Sequence, residues 1–197
     1  KYNSIIISLE KFKEINKGES LEGFSTIYNK ETVFIDPRSK NLGAKIISKI
    51  ENIEKVVKNL NLKRVDKDQY YKKSFDLGIP QVNLNKLKDK IFGIENNLDE
   101  LGGIDFKKGC YIGQENTSRI KLRNKLRRRI LPIKKISGEI SENDIIKYSD
   151  IEIGKIMIAK PYIFALIKVV DPDLNEFINK DLICEKAKVK VLKPDWI

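Results

Sequence analysis

One short segment carries the residue types best suited to chemistry. Cys110 directly follows Gly109 and stands three residues before Gly113, and Lys107 and Lys108 lie just upstream. Glycine permits positive φ and lets the backbone approach a ligand closely, while nearby lysines favour the thiolate form of a cysteine. We therefore interpret Cys110 as a reactive or ligand-facing thiol. The alternative from the residues alone is a tight turn around a small buried cysteine, because free cysteine is among the most buried residue types.

Polar and acidic residues on both sides of this segment are candidates for ligand binding. Gln114 and Glu115 begin a predicted helix over residues 114–125, where the helix dipole stabilises an acidic side chain. Alternatively, the carboxylate of Glu115 could accept two adjacent N–H donors of a bound heterocyclic ring. Glu95 and Asp99 suit that role equally, although a single acidic residue is more often simply solvated.

A dense basic cluster lies in and after this predicted helix. Such a cluster can bind RNA phosphates or the carboxylates of an anionic small molecule. The alternative is a solvated stretch between two domains, since no aromatic residues alternate with these cations to stack on bases. The net charge of +11 is spread along the chain and is weak evidence by itself. The cluster consists of Lys121, Arg123, Lys125, Arg127, Arg128 and Arg129.

The chain of 197 residues contains no histidine, and this excludes several kinds of site. A Ser–His or Cys–His pair, an imidazole proton shuttle and a histidine metal site are all impossible. The two cysteines, Cys110 and Cys184, are too few to hold an iron–sulfur cluster through cysteine alone. They show no disulfide-framework spacing, which favours a reducing compartment. We interpret Cys184 as a small core residue on a strand.

Hydrophobic spacing predicts the elements that must position these residues. The first residues, Lys1–Ser8, are predicted to form a strand, and Gly23–Ile35 to form two short strands around a turn. Apolar residues between Ile46 and Leu60 recur at helical spacing and predict an amphipathic helix. A second helix is predicted over Asp66–Asp76.

The pattern changes after residue 126, where short apolar strands replace helices. We expect a small C-terminal β-barrel because no helix of normal length is evident there. The predicted fold class is therefore α+β, with domains over residues 1–126 and 127–197. The predicted strands are Arg129–Ile133, Ile151–Ala159, Tyr162–Val169 and Ala187–Leu192.

The run from Gly103 to Glu115, followed by Thr117-Ser118-Arg119, resembles the signature of the YgfZ family. The flanking sequence is similar in the same order, and the resemblance is strong over residues 34–129 and weaker beyond. The matching flanks are Asp36-Pro37-Arg38 with Leu42-Gly43, Leu77–Pro80, Glu95–Leu101, Gly154, Phe164–Lys168 and Pro194-Asp195-Trp196.

This resemblance implies a fold, a cofactor and partners. Members of the family are folate-binding relatives of the glycine-cleavage T-protein that serve iron–sulfur cluster assembly or repair. It implies a partial T-protein-like folate-binding domain followed by the barrel, with tetrahydrofolate or another folate as cofactor and no stably bound metal. The partners would be [4Fe–4S] client enzymes, including tRNA-modifying enzymes, and assembly proteins, with tRNA contact through Lys121–Arg129 and no membrane association. We expect no rapid turnover by the protein itself.

The same resemblance assigns roles to residues. Cys110 would take part in cluster-linked or folate-linked redox chemistry. We expect a bacterial cytoplasmic location, or the mitochondrial matrix in a eukaryote. Family members carry a further N-terminal portion, so we expect this chain to be N-terminally incomplete. The folate-binding residues would be Lys108, Gly109, Tyr111, Gly113, Gln114, Glu115, Arg119, Glu95 and Asp99.

Two other functions remain open at this point. One is a tetrahydrofolate-dependent aminomethyltransferase like the T-protein, although that relative lacks the cysteine motif. The other is a basic module that binds tRNA. The sequence also departs from the family pattern: Ser74 stands where an arginine is usual, which affects one expected folate contact, and Arg123-Asn124 replaces Arg-Gly.

Overall fold

Alternating apolar residues build a four-stranded antiparallel sheet in the first part of the chain. The structure, a computed structural model, describes residues 1–18, 21–109, 114–123 and 126–197. Neighbouring strands of the sheet follow the order first, fourth, third, second. The strands are β1 (Tyr2–Ile7), β2 (Ser25–Tyr28), β3 (Glu31–Ile35) and β4 (Ala44–Lys49).

The described residues of the range 9–76 also contain three α-helices, and the first of the two predicted helices differs from the structure. The predicted helix over residues 46–60 is wrong in its first part, because β4 continues to Lys49 and a 3₁₀ turn follows. Burial in β4 alternates residue by residue, and pairing with β1 and β3 on both sides outweighs the helical spacing of its isoleucines. The helices are α1 (Leu9–Ile15), α2 (Ile53–Asn59) and α3 (Lys67–Asp76).

One face of the sheet forms a small apolar core. Phe12 of α1, Val33 of β3 and Ile46 of β4 are each fully buried there, and Val56 of α2 packs against the same cluster. Along β3 and β4, buried residues alternate with more exposed ones, as strands with one buried face require. The predicted strands in this part of the chain are confirmed.

The chain divides into two compact units between Tyr70 and Tyr71. The first unit, residues 1–70, contains the sheet, and the second unit, residues 71–197, contains the barrel described next. The division falls inside α3 rather than near the predicted boundary between residues 126 and 127. The two predicted domains therefore stay a prediction.

Six antiparallel strands close into a barrel in the second unit, which confirms the predicted C-terminal β-barrel. The strands are β5 (Arg128–Ser137), β6 (Ile145–Tyr148), β7 (Ile151–Ile158), β8 (Phe164–Lys168), β9 (Leu182–Cys184) and β10 (Ala187–Val191). Around the barrel, neighbouring strands follow the order β10-β5-β8-β7-β6-β9. A nine-residue helix, α4 (Gln114–Leu122), precedes the barrel, and a short helix, α5 (Leu174–Phe177), lies between β8 and β9.

The interior of the barrel is filled by aliphatic side chains. Ile133, Ile156, Ile167 and Val189 come from four different strands and are almost completely buried in one cluster. Phe177 of α5 is fully buried in the same cluster. The barrel is therefore a packed core and presents its chemistry only on its outer wall and in adjoining loops.

Candidate functional site

An acidic loop, residues 92–103, lies against the first strand of the barrel. The main-chain N–H of Ile130 donates to the carbonyl of Glu95 at 2.8 Å. Asn97 is completely buried, and its Nδ2 donates to the carbonyl of Ile130 at 2.8 Å. Its Oδ1 accepts from Nη1 of Arg129 at 3.1 Å. Asn97 has a φ of +61°, a conformation that asparagine tolerates better than most residues. These bonds fix the loop to β5.

The carboxylate of Glu95 is buried and already holds several partners. One oxygen accepts from Nε and Nη2 of Arg128, each at 2.9 Å, and the other accepts from the N–H of Phe92 at 2.9 Å. A buried charge needs this kind of compensation because burial alone is costly. The structure therefore places Glu95 as an anchor between the acidic loop and the basic cluster. Its role in folate binding stays a prediction.

Asp99 meets a lysine from the far side of the cysteine segment. Nζ of Lys121, on α4, forms an ion pair with Asp99. The same Nζ lies 5.6 Å from the centre of the Phe106 ring, within the range of a cation–π contact. Asp99 and Phe106 precede Cys110 in the sequence and Lys121 follows it, so this one lysine joins the two flanks of the motif.

The basic cluster and the acidic loop thus pair with each other. Arg129 completes the set, because its Nη2 lies 2.6 Å from Oε1 of Glu100. Within the described part of the chain, Arg123 and Arg127 form no ion pair, and Lys125 lies outside the described residues. Three of the six cations are therefore used to bind the loop, and fewer remain for an external anion than the sequence alone indicates.

The structure describes only part of the cysteine motif. Cys110, Tyr111 and Gly113 lie outside the described residues, and the backbone of Gln114 begins α4. Lys108 and Gly109 are exposed, and a Cβ added at Gly109 would meet no described atom within 4 Å.

Glu115 and Arg119 lie one turn apart on α4 and form an ion pair with each other. Both side chains are exposed, so their mutual attraction adds little to stability. Their predicted folate-binding role is not tested by this arrangement.

A pocket of about 620 Å³ opens beside the acidic loop and α4. Its wall combines apolar side chains with three cations and two carboxylates. Arg128 and Lys168 are direct neighbours across β5 and β8, and Glu95 offsets the repulsion between them. Lys168, Val170 and Asp171 come from a strand end and a turn whose sequence gives no binding signal. The lining residues are Phe92, Glu95, Ile120, Leu126, Arg127, Arg128, Lys168, Val170 and Asp171.

A second charged group lies in the first unit, at the Asp-Pro-Arg segment. The carboxylate of Asp36 is buried and accepts from Nε and Nη2 of Arg38 at 2.9 and 2.7 Å. Nζ of Lys45 lies 3.0 Å from the same carboxylate. Burial is the largest influence and opposes ionisation, but the hydrogen bonds from Arg38 and Lys45 together outweigh it. The pKa of Asp36 therefore falls to about 2.

The Leu77–Pro80 segment is a close turn after α3. Ser74 is completely buried, and its hydroxyl donates to the carbonyl of Ile79 at 2.6 Å. The indole N–H of Trp196 donates to the carbonyl of Leu77 at 2.8 Å. The residue that replaces the usual arginine of the family pattern is therefore used inside the turn in this chain.

The second cysteine is a core residue, as its apolar neighbours predict. Cys184 is fully buried in the barrel, and burial raises the pKa of its thiol to about 11. Among the described residues, no three His, Cys, Asp or Glu side chains are grouped so that they could hold a metal ion. None of the helices in the described ranges is long and apolar enough to cross a bilayer.

About half of the chain is similar in sequence to known proteins. No protein-family model matches the chain. The chain is 35% identical over 97 residues to the iron-sulfur cluster assembly factor IBA57 homolog, mitochondrial, of Neurospora crassa, an alignment of 49% of this chain and 22% of the relative. It is 38% identical over 104 residues to the protein of the same name from Dictyostelium discoideum, an alignment of 52% of this chain and 25% of that relative.

The fold has a counterpart among solved structures. The crystal structure of glycine cleavage system aminomethyltransferase T from Bartonella henselae matches with a TM-score of 0.62 and 11% identity. The match covers 90% of this chain and 53% of that chain. The expected T-protein-like fold is thereby confirmed. The chain spans about a quarter of the length of the curated relatives it matches.

Proposed function

We propose that this protein is a folate-binding accessory protein for the assembly or repair of [4Fe–4S] clusters, of the YgfZ type. The observation that carries the proposal is the similarity to proteins named as iron–sulfur cluster assembly factors, at 35% and 38% identity over about half of the chain. The segment around Cys110 and the T-protein-like fold support the same function.

The residues of the pocket beside the acidic loop fit a folate. Its volume of about 620 Å³ lies in the usual range for small-molecule sites. Arg127 and Lys168 would hold carboxylates of the glutamate tail, and the apolar wall formed by Phe92, Ile120 and Leu126 would pack on a ring. A bound folate would supply one-carbon or redox chemistry, and Cys110 would supply a thiol that acts on the cluster or the folate.

Binding of tetrahydrofolate tests this part of the proposal. Anaerobic titration calorimetry would compare the wild-type protein with the double variant Arg127→Gln/Lys168→Gln. A matched control, Lys155→Gln, removes an exposed cation from β7, outside the pocket. We expect binding to weaken about tenfold or more in the double variant and to stay unchanged in the control. Equal affinity for all three proteins would show that tetrahydrofolate does not bind in this pocket.

The partners of the proposed function are [4Fe–4S] enzymes, including tRNA-modifying ones, and proteins of cluster assembly. A bacterial protein of this kind would act in the cytoplasm, and a eukaryotic one in the mitochondrial matrix, in keeping with the names of the relatives. Cells that lack their own IBA57-type factor provide the test of the role. Expression of the complete gene should restore [4Fe–4S] enzyme activity, whereas a glycine-cleavage T-protein of the same fold should not. Restoration by both proteins would reject a specific role.

The alternative function is tetrahydrofolate-dependent aminomethyl transfer, and the shared fold is the observation in its favour. Purified protein would be supplied with tetrahydrofolate and an aminomethyl donor, and methylenetetrahydrofolate would be measured. Turnover by this protein at the rate of a T-protein would replace the accessory role with a transferase.

Contact with tRNA through Lys121–Arg129 is a further part of the proposal. Arg123 and Arg127 would carry it, because Lys121, Arg128 and Arg129 pair with the acidic loop. Binding of tRNA should fall with rising salt, and the double variant Arg123→Ala/Arg127→Ala should lose most of it. Binding that is unaffected by salt and by this double variant would show that these two arginines do not contact tRNA.

A further inference from the structure

The outer wall of the barrel carries a row of side chains that the proposed function does not use. Ile183 of β9 is the register partner of Lys147 on β6 and of Lys188 on β10. These three residues therefore lie side by side on one face of adjacent strands. Two residues further along β10, Lys190 is the register partner of Lys134 on β5. We call this group the lysine wall: Lys134, Lys147, Lys188 and Lys190 around Ile183.

The charge of the lysine wall is only partly compensated. Lys190 forms an ion pair with Asp181 at 3.1 Å. Within the described ranges, Lys134, Lys147 and Lys188 form no ion pair, although Glu152 is a register partner of Lys147 on β7. Lys134 and Lys190 face each other directly, and like charges in that position are destabilising.

Protection of a sheet edge does not explain these lysines. Proteins often place lysine on exposed edge strands to prevent pairing with other chains. Here β5, β6, β9 and β10 all have partners on both sides, because the barrel is closed. The wall therefore has no free edge to protect.

An apolar residue lies at the centre of the wall. Ile183 is 61% exposed although its strand neighbours Leu182 and Cys184 are buried. A bulge in the pairing of β10 with β5 leaves a second isoleucine, Ile136, 44% exposed. An apolar centre with a polar, solvent-accessible rim is the usual arrangement of a protein interface. A surface for nucleic acid would instead combine cations with aromatic residues for stacking, and the lysine wall contains none.

We propose that the lysine wall binds an acidic surface of a partner protein. Carboxylates of the partner would pair with Lys147 and Lys188, and an apolar side chain between them would cover Ile183. The wall crosses four strands, a width of about 15 Å, so the interface would be small and sensitive to salt. This inference does not depend on the folate or on cluster chemistry.

The test measures binding of labelled probes by fluorescence anisotropy to the full chain. One probe is a short peptide that alternates glutamate with leucine, the second is an all-glutamate peptide, and the third is single-stranded polyuridine RNA. The variants are the double substitution Lys147→Glu/Lys188→Glu and the single substitution Ile183→Ser. A matched control, Lys55→Glu/Lys58→Glu, makes the same charge change on exposed positions of α2. Far-UV circular dichroism checks that every variant is folded.

We expect the wild-type protein to bind the glutamate–leucine peptide, and the wall double variant to bind it about tenfold more weakly. Ile183→Ser should weaken binding of this peptide several-fold and leave the all-glutamate peptide unchanged, and the α2 control should behave like the wild type. Equal loss in the α2 control would show a response to net charge only. Tighter binding of RNA than of either peptide, insensitive to Ile183→Ser, would assign the wall to phosphates. Either result, or no binding by the wild-type protein, overturns the proposal.

Discussion

The buried carboxylate of Asp36 gives the most quantitative prediction. Its pKa falls from the ordinary value of 3.8 to about 2 because Arg38 and Lys45 stabilise the ionised form. A folded-state pKa below the unfolded value adds stability that is complete above about pH 4 and is lost as the pH falls toward 2. At about 1.4 kcal/mol per pH unit, the gap between the two values corresponds to about 2 kcal/mol.

The substitution Asp36→Asn removes this contribution and leaves two cations facing a neutral amide. We expect a loss of about 3 kcal/mol in the free energy of unfolding at pH 7, the lower end of the range for a broken buried pair because Arg38 and Lys45 are partly exposed. The difference between the wild-type and variant proteins should shrink by about 1.5 kcal/mol between pH 6 and pH 2.5, because the Asp36 carboxyl of the unfolded wild-type chain becomes protonated while the folded one is still mostly ionised.

Urea unfolding followed by far-UV circular dichroism at several pH values measures both quantities. Glu51→Gln is the control, because Glu51 is exposed and lies 3.7 Å from Lys49. This control should change stability by less than about 0.5 kcal/mol at every pH. A difference between the wild type and Asp36→Asn that stays constant, or grows, toward low pH would refute the reasoning.

Three further predictions concern the second unit. Gly78 has a φ of +71°, and an added Cβ would lie 2.3 Å from Cγ of Pro194. Gly78→Ala should therefore lower the free energy of unfolding by at least about 2 kcal/mol, measured by urea unfolding followed by the fluorescence of Trp196. An unchanged unfolding midpoint would contradict this geometry. Asn97→Ala should lower the free energy of unfolding by about 3 kcal/mol in the same assay, because it leaves the carbonyl of Ile130 without the Asn97 donor. A loss under about 1 kcal/mol would show that other contacts hold the acidic loop. Cys184 should resist iodoacetamide in the native protein at pH 8 and react only after unfolding in urea, because it is buried and its pKa is about 11; mass spectrometry of its peptide would expose native labelling.

Local sequence signals predicted much of this fold. A run of three isoleucines predicted β1, residues that favour pleated structure predicted β2 and β3, and short apolar segments predicted four strands of the barrel, β5, β7, β8 and β10. The sequence did not predict β6, which is only four residues long and is defined by its partners in the closed barrel, and it indicated the three-residue β9 only through the interpretation of Cys184 as a core residue on a strand. In β4 the isoleucines suit a helix and a strand equally, and pairing with distant strands decides between them.

The charge pairing in the candidate site could not be predicted from the sequence. The sequence pointed to Glu95 and Asp99 as ligand-binding acids and to Arg128 as part of an exposed basic cluster. In the structure these charges pair across more than twenty residues of sequence, Glu95 with Arg128 and Asp99 with Lys121. No local pattern reveals such pairing, because it depends on how the acidic loop lies against β5. The contribution of Lys168 to the pocket was missed for the same reason.

The proposed function gives the thiol of Cys110 a role in the maintenance of [4Fe–4S] enzymes. The most direct measurement is [4Fe–4S] enzyme activity in cells that lack their own IBA57-type factor and carry the complete gene as wild type, Cys110→Ala or Cys184→Ala. We predict that the wild type and Cys184→Ala restore activity, and that Cys110→Ala fails although it accumulates to the same level. Equal restoration by Cys110→Ala would contradict the role of this thiol, and failure of the wild type itself would contradict the proposed function.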